Sequence, residues 1–381
     1  PAQLFGFDDG QELPAGTHGE VIVQNKTYRV PWKSVEAGAE DKVIATAKGK
    51  TEFPGTVGFK NSAGLVPSRS YNPRQKEIFV KGKEAGAAEA ISAYSVVAGD
   101  SAKEIEVGRI NVASYTRLSN KLILVPVNDA AIPDAGEIES EVNRIYAQAV
   151  ADWTTEIAPA FQIEEPYITG LDSAESDWIS GFNEKMKRFN RAYQWENHIE
   201  DDAYYLFLIS GSGSARAGFM PFRRRFGYIF TENTSDFART IAHELGHGAF
   251  RLAHTFEKFD LPRGATANLM DYGGGTQLAK YQWDEVHDPQ RMIGWLKDDD
   301  ESGMAGVALE AYVKGFSLHE SYYAVEGGLI PEYLWKSGMV NPMAAGFIDG
   351  AWQTIEGTWS IVKFLDAWGL APLICSPEEA L

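Results

Sequence analysis

The stretch Thr234-Ser235-Asp236-Phe237-Ala238-Arg239-Thr240-Ile241-Ala242-His243-Glu244-Leu245-Gly246-His247-Gly248 decides how the chain reads. Thr234 and Ser235 offer an N-cap, and Phe237, Ile241 and Leu245 recur at intervals of four, the spacing of a helix with one face in a core. His243 and His247 are also four apart, so on that helix their imidazoles share a face and reach one cation. Zn²⁺ suits neutral imidazoles, and an open coordination position lets it acidify water. Glu244 projects beside them, where a carboxylate can take a proton from water as general base and pass it to a leaving amine. Gly246 leaves room for a substrate or a neighbouring strand to approach.

A third protein ligand is required, and His254 is the nearest candidate. On an unbroken helix it would sit about 10 Å beyond His247, so the chain must turn between them, with Gly248 available to help. Glu257, Asp260 and Glu285 are the alternatives. Three of the 7 histidines fall between His243 and His254, a clustering that favours a metal site over scattered structural histidines.

Upstream, the run Lys121-Leu122-Ile123-Leu124-Val125-Pro126-Val127 has the character of a buried strand. After the turn at Pro133-Asp134-Ala135-Gly136, the spacing of Ile138, Val142, Ile145, Ala149, Trp153 and Ile157 predicts one long amphipathic helix. Trp178, Phe182, Met186, Phe189 and Tyr193 suggest a second helix, Tyr204 to Ile209 another strand, Gly211 to Gly218 a loop, and Phe226 to Phe230 a further strand. From residue 1 to about 112 the texture is different: short strand-like segments broken by Gly, Pro and Asn. Among them are Glu20 to Val23 and Thr27 to Val30, joined as a hairpin through Gln24-Asn25-Lys26, then Glu77 to Val80 and Ile105 to Val107. The Ala-rich interval before Ile105 reads as a loop or short helix. Beyond residue 300, Ala344 to Leu370 carries an amphipathic pattern through Ile348, Trp352, Ile355, Trp359 and Val362, with Asp349, Glu356, Lys363 and Asp366 favouring a packed helix over a membrane-surface one.

The 381 residues suffice for two or three domains, and 44% hydrophobic content with 10 Trp describes a chain that buries a large core. A net charge of −18 repels the phosphates of nucleic acid and of anionic lipid. The exception, Arg223-Arg224-Arg225, reads as a solvated strand or loop. A single cysteine, Cys375, excludes an intrachain disulfide and any multi-cysteine metal site. No stretch of about 18 uncharged apolar residues predicts a membrane-spanning helix. The opening Pro1-Ala2-Gln3-Leu4 lacks a basic region followed by an apolar run and reads as part of something longer.

The two helical histidines, the following turn, the third histidine and Asn268-Leu269-Met270-Asp271-Tyr272 together resemble the metzincin branch of zinc peptidases, in which a Met-turn lies downstream of the ligands. The resemblance implies that Met270 floors the metal and that Tyr272 stabilises the oxyanion. It departs from the family's usual spacing: Phe250 occupies the glycine position and His254 comes one residue late. The wider string from His243 to Phe256, with Gln282-Trp283-Asp284-Glu285, is similar to zincin-like domains of large bacterial polymorphic toxins and secreted modular proteins, over roughly residues 115–300.

The expectation is an α+β chain: a β-rich accessory domain (1–112), a zincin-like metallopeptidase domain with a twisted sheet backed by helices (113–300), and a helical C-terminal segment (301–381). The resemblance places Phe226 to Phe230 near a cleft edge, where an extended peptide could add as a strand. Function is expected to be zinc-dependent endopeptidase chemistry on a protein or peptide within a secreted or exported bacterial protein, opposed by an inhibitor or immunity protein. Other expectations are a zinc hydrolase of a non-peptide amide such as a cell-wall crosslink, a toxin cargo, and a silent or latent adhesive or scaffold module. The presence of Glu244 argues against the silent scaffold.

Overall fold

The computed structural model describes residues 4–14, 16–23, 26–47, 57–97, 103–171 and 181–288. Its fold is mixed α/β, with four sheets and five α-helices among the described residues, compatible with the α+β expectation. The chain divides into two compact units, one from Pro1–Gly170 with Glu200–Ile293, the other from Leu171–Ile199 with Gly294–Leu381. The expected C-terminal segment, 301–381, lies outside the described residues.

The β-rich part comprises β1 (Phe7–Asp8), β2 (Glu20–Val23), β3 (Lys26–Arg29), β4 (Trp32–Glu36), β5 (Glu40–Thr46), β6 (Val57–Asn61), β7 (Gly64–Leu65), β8 (Ser68–Asn72), β9 (Gln75–Lys81), β10 (Ala88–Val97) and β11 (Lys103–Tyr115). They form a six-stranded sheet in the order β1-β4-β11-β10-β6-β7, a three-stranded sheet β5-β9-β8, and the expected hairpin β2-β3. The Ala-rich interval opens as a turn, closed by Ala87 N to Glu84 O (3.0 Å), and continues as a strand rather than a helix. Residues from Ala88 onward pair antiparallel with β11, whose ladder outweighs the weak helical preference of scattered alanines. A division at residue 112 cuts β11, and apolar residues on both sides of it, such as Val35, Ile91, Leu122, Trp153, Leu245 and Trp283, form one continuous core.

Five further strands, β12 (Leu118–Pro126), β13 (Ala151–Ile157), β14 (Ala203–Ile209), β15 (Gly218–Phe219) and β16 (Phe226–Phe230), make the sheet next to the histidines, in the order β13-β12-β14-β16-β15. The first four in that order run parallel, while β15 is antiparallel to β16. Every residue of β14 and β16 is buried, which explains their unbroken apolar sequences. The strand expected at the cleft edge, Phe226 to Phe230, is therefore internal: the two-residue β15 covers it, pairing Gly218 with Ile229 and Phe219 with Tyr228.

The helices are α1 (Ala135–Tyr146), α2 (Glu184–Glu196), α3 (Phe237–Gly248), α4 (Thr255–Phe259) and α5 (Lys280–Val286). The long helix expected through Ile157 ends at Tyr146. Val150 then adopts φ 56°, and the chain returns as β13. Asn143 fixes this reversal, donating to Trp153 O (2.9 Å) and accepting from Trp153 N (2.7 Å). The alternating faces of β13 happened to continue the helical spacing of α1. Within the second unit, α2 begins two residues after Phe182, capped by Asn183, and Trp178 lies outside the described residues.

Candidate metal centre

Helix α3 follows β16 through a 3-10 turn, Thr231–Asn233. Its N-cap is Asp236, which accepts from Arg239 N (3.0 Å), not Thr234 or Ser235. Thr234 is engaged elsewhere: its hydroxyl donates to Ala217 O (3.1 Å). With Glu232 accepting from Ser212 N and Oγ, and Asn233 donating to Ser214 O, it ties the Gly- and Ser-rich loop to the start of the helix. Ile241 and Leu245 are fully buried, as their spacing predicts.

Past the helix, Arg251 occupies the left-handed region at φ 55°. Arg251 N bonds His247 O (3.0 Å) and Leu252 N bonds Gly246 O (2.8 Å), so the chain folds back across the last turn. Phe250 fills the core against Tyr146 and Trp153, so the reversal falls one residue beyond it, matching the late position of His254. Gly248 does not make the turn. It lies within the helix, where its missing side chain admits Met220.

The reversal brings three imidazoles together. His243 Nε2 and His247 Nε2 are 3.2 Å apart, His247 and His254 3.1 Å, and His243 and His254 3.3 Å. Each Nδ1 has an acceptor: Leu269 O for His243 (2.8 Å), Leu252 O for His247 (2.7 Å) and a Glu257 carboxylate oxygen for His254 (3.3 Å). These partners place the proton on Nδ1 and leave three Nε2 lone pairs facing one point. Burial pushes His243 down to about 4, His254 to about 3 and His247 well below its ordinary value, the last aided by the two neighbouring imidazoles. All three are thus neutral at neutral pH. Converging lone pairs repel unless a cation lies between them, and tetrahedral zinc with nitrogens at about 2.0–2.1 Å sets those nitrogens roughly 3.3 Å apart. The residues present therefore fit one metal ion, and His243, His247 and His254 are the group of three able to hold it among the described residues.

The other candidate ligands are not in this group. Glu257 orients His254, Asp260 ends α4 in a left-handed conformation at φ 52°, and Glu285 pairs with Lys258. Glu244 is buried beside β15, where a β-carbon on Gly218 would approach its Oε1 to 2.7 Å, so only glycine lets the strand pass this carboxylate. Tyr272 is 53% exposed, and its hydroxyl is 3.4 Å from His254 Nε2. Burial and the nearby Glu244 raise its pKa, so it remains a phenol able to donate.

Met270 is fully buried under α3. A β-carbon on Gly246 would meet its sulfur at 2.7 Å, so this glycine makes room for Met270 rather than for a substrate or strand. Residues to which the sequence assigned no role of their own hold the segment around Met270. Arg239 donates to Gly275 O, Leu269 O and Asp271 O. Asp271 accepts from Gly264 N, Thr266 N and Oγ1, and Tyr272 N. Asn268 and Gln282 exchange amide hydrogen bonds of 2.7 and 3.0 Å. The β-rich part buttresses the same segment, with Glu12 accepting from Ala267 N (2.8 Å) and Asp8 from Lys280 N (2.7 Å). The basic cluster is not wholly solvated either: Arg225 is buried, and its guanidinium donates to Glu200 O (3.2 Å).

Comparison with family models and with curated proteins gives no match. Among solved structures, a sialyltransferase from Photobacterium damsela aligns with 46% of this chain at 9% identity and a TM-score of 0.16. The aligned part covers 35% of the sialyltransferase, and a likeness this slight carries no argument about fold or function. No helix among the described residues is long and apolar enough to cross a membrane.

Proposed function

We propose that this chain is a zinc-dependent endopeptidase, with His243, His247 and His254 holding the ion and Glu244 acting as general base. The observation that carries the reading is the convergence of three Nε2 atoms within 3.1–3.3 Å, each imidazole fixed through Nδ1, next to a buried glutamate. Zinc bound there would acidify water and polarise a carbonyl. Glu244 would take a proton from the attacking water and deliver it to the departing amine. Tyr272 would donate its phenolic hydrogen bond to the carbonyl oxygen as negative charge gathers on it. The short strand β15, outermost in its sheet and beside Glu244, replaces Phe226 to Phe230 as the place where an extended peptide would add. The sequence resemblance supports placing this activity in a larger exported or toxin-like protein.

The test is elemental analysis of the purified chain and of His247→Ala, followed by peptide cleavage with the parent and Glu244→Gln. About one zinc per chain is expected, lost in His247→Ala, with cleavage reduced about 10² to 10⁴-fold in Glu244→Gln at unchanged zinc content. A parent that takes up no zinc, or a Glu244→Gln variant as active as the parent, would remove the basis of this reading.

A further inference from the structure

His18 lies outside the group of three histidines, yet it is buried, and its Nε2 is 2.9 Å from Asp8 Oδ2. Burial alone would raise the Asp8 pKa, but hydrogen bonds from His18, Lys280 N and Gly10 N hold it below its ordinary 3.8, so Asp8 accepts as a carboxylate. The segment that carries Asp8 is itself clamped. Lys33, fully buried, forms an ion pair with buried Asp41 (2.5 Å) and donates to Phe5 O (2.8 Å) and Gly6 O (3.2 Å). Asp41 accepts from Leu4 N (3.2 Å) and Phe5 N (3.1 Å). Removing either partner would leave a buried charge unpaired, so the segment is held in one position. A β-carbon on Gly6 would meet Gln148 O at 2.5 Å and the Trp283 ring at 2.6 Å, so this stretch of backbone is seated directly against α5.

From this anchor two carboxylates reach the segment that orients His243. Asp8 accepts from Lys280 N (2.7 Å), the first residue of α5, and Glu12 accepts from Ala267 N (2.8 Å). In the first turn of α5, Gln282 Oε1 accepts from Ala279 N (2.8 Å) and Asn268 Nδ2 (2.7 Å), and the Gln282 amide donates to Asn268 Oδ1 (3.0 Å). Asn268 Oδ1 also accepts from Met270 N (2.8 Å), which fixes the backbone on which Leu269 O meets His243 Nδ1 (2.8 Å). Gln282 and Asn268 are both buried, so water does not stand in for these partners.

We propose that Asp8 and Glu12 are positioning residues for metal binding. By holding α5 and Ala267 they set the Leu269 carbonyl that aims His243 Nε2 at the ion, so the β-rich part is a working part of the site. This rests on the metal reading of the three histidines and not on the reaction, so it is measurable without turnover.

The experiment measures Zn²⁺ affinity by chelator competition, together with the visible absorption of the Co²⁺-loaded chain, whose bands report the geometry of the bound nitrogens. The variants are Asp8→Ala, Glu12→Ala and Asn268→Ala, with Asp8→Asn and Glu12→Gln as conservative partners. Asp8→Ala and Glu12→Ala are expected to weaken zinc binding about three- to tenfold, less than the about 10–100-fold that follows loss of a direct partner of a ligating histidine, and to shift the Co²⁺ bands. Asp8→Asn and Glu12→Gln keep an acceptor oxygen and should return affinity and bands toward the parent's. Glu12→Ala should cost less affinity in the Asn268→Ala background than in the parent, because the connection is already cut. Val43→Ala, a truncation in the core of β5, is the structural control, with Tm lowered but affinity and bands unchanged. Glu12 is exposed, so Glu12→Ala carries the test if Asp8→Ala does not fold. Alanine variants with the parent's affinity and bands, or an equal change in Val43→Ala, overturn the proposal and leave the metal reading standing. A parent that binds neither ion overturns the metal reading, and this proposal with it.

Discussion

Gly246→Ala probes the packing beneath the three histidines at one atom. The added β-carbon would lie 2.7 Å from Met270 Sδ, 3.2 Å from its Cε and 3.4 Å from Tyr146 Oη. The first contact is far inside van der Waals distance, and Met270 is fully buried, so the methionine must move. Overpacking of this kind costs about 1–3 kcal/mol. Alanine in a helix interior returns about 0.8–1.0 kcal/mol relative to glycine. The net is a destabilisation of roughly 0–2 kcal/mol, or up to about 8 °C in Tm at about 2–4 °C per kcal/mol. The larger effect should be on metal binding. Leu269 O, one residue before Met270, orients His243, and Met270 O accepts from Thr255 N (3.0 Å), next to His254. Displacing Met270 therefore disturbs two of the three imidazoles, and loss of such support typically lowers metal affinity by about 10–100-fold. The assay is thermal unfolding with and without zinc, together with zinc competition against a chelator, for Gly246→Ala, Met270→Ala and the double variant. Because the clash disappears when Met270 is truncated, the double variant should be less destabilised than the sum of the singles by about 1 kcal/mol. Strict additivity, with zinc affinity in Gly246→Ala equal to the parent's, would show that Met270 does not support the site from beneath α3.

Three other perturbations follow from the same geometry. Arg251 holds a left-handed conformation at φ 55°, so Arg251→Gly should match or slightly exceed the parent in Tm, while a β-branched Arg251→Val should cost about 1–2 kcal/mol. Glu257→Gln replaces the carboxylate that orients His254 and should weaken zinc binding at least about tenfold by chelator competition, with little change in far-UV circular dichroism. Burial alone would raise the pKa of Asp271, but hydrogen bonds from Thr266, Gly264 and Tyr272, beside the charge of Arg239, hold it below its ordinary 3.8. A carboxylate with a lowered folded-state pKa contributes stability that is complete above about 3.8 and is lost as pH falls through the folded value. Asp271→Asn should therefore be less stable than the parent at neutral pH by about 1–3 kcal/mol, with the gap narrowing below pH 3.8 in denaturant titrations.

The sequence by itself determined the elements whose signals are local. Spacing of four set Ile241 and Leu245 inward and put His243 and His247 on one helical face, because that relation depends only on helix geometry. Continuous apolar runs marked β12, β14 and β16, because strands covered on both faces admit few polar residues. Where two local patterns coincide, sequence misleads: Trp153 and Ile157 keep the helical spacing of Ile138 yet lie in β13, since Asn143 and the parallel pairing with β12 turn the chain. Thr234 looks like a cap but its hydroxyl serves a loop seventeen residues earlier in the chain.

Tertiary structure alone decided the third imidazole, because its arrival depends on a left-handed turn at Arg251, a residue with no turn signature, and on Phe250 being claimed by the core. It also decided that Gly246 accommodates Met270, that Leu252 and Leu269 carbonyls and Glu257 orient the imidazoles, and that Asp8 and Glu12 of the β-rich part brace the segment around Met270. These relations join residues up to 272 positions apart, and backbone carbonyls carry no side-chain identity for a sequence to display.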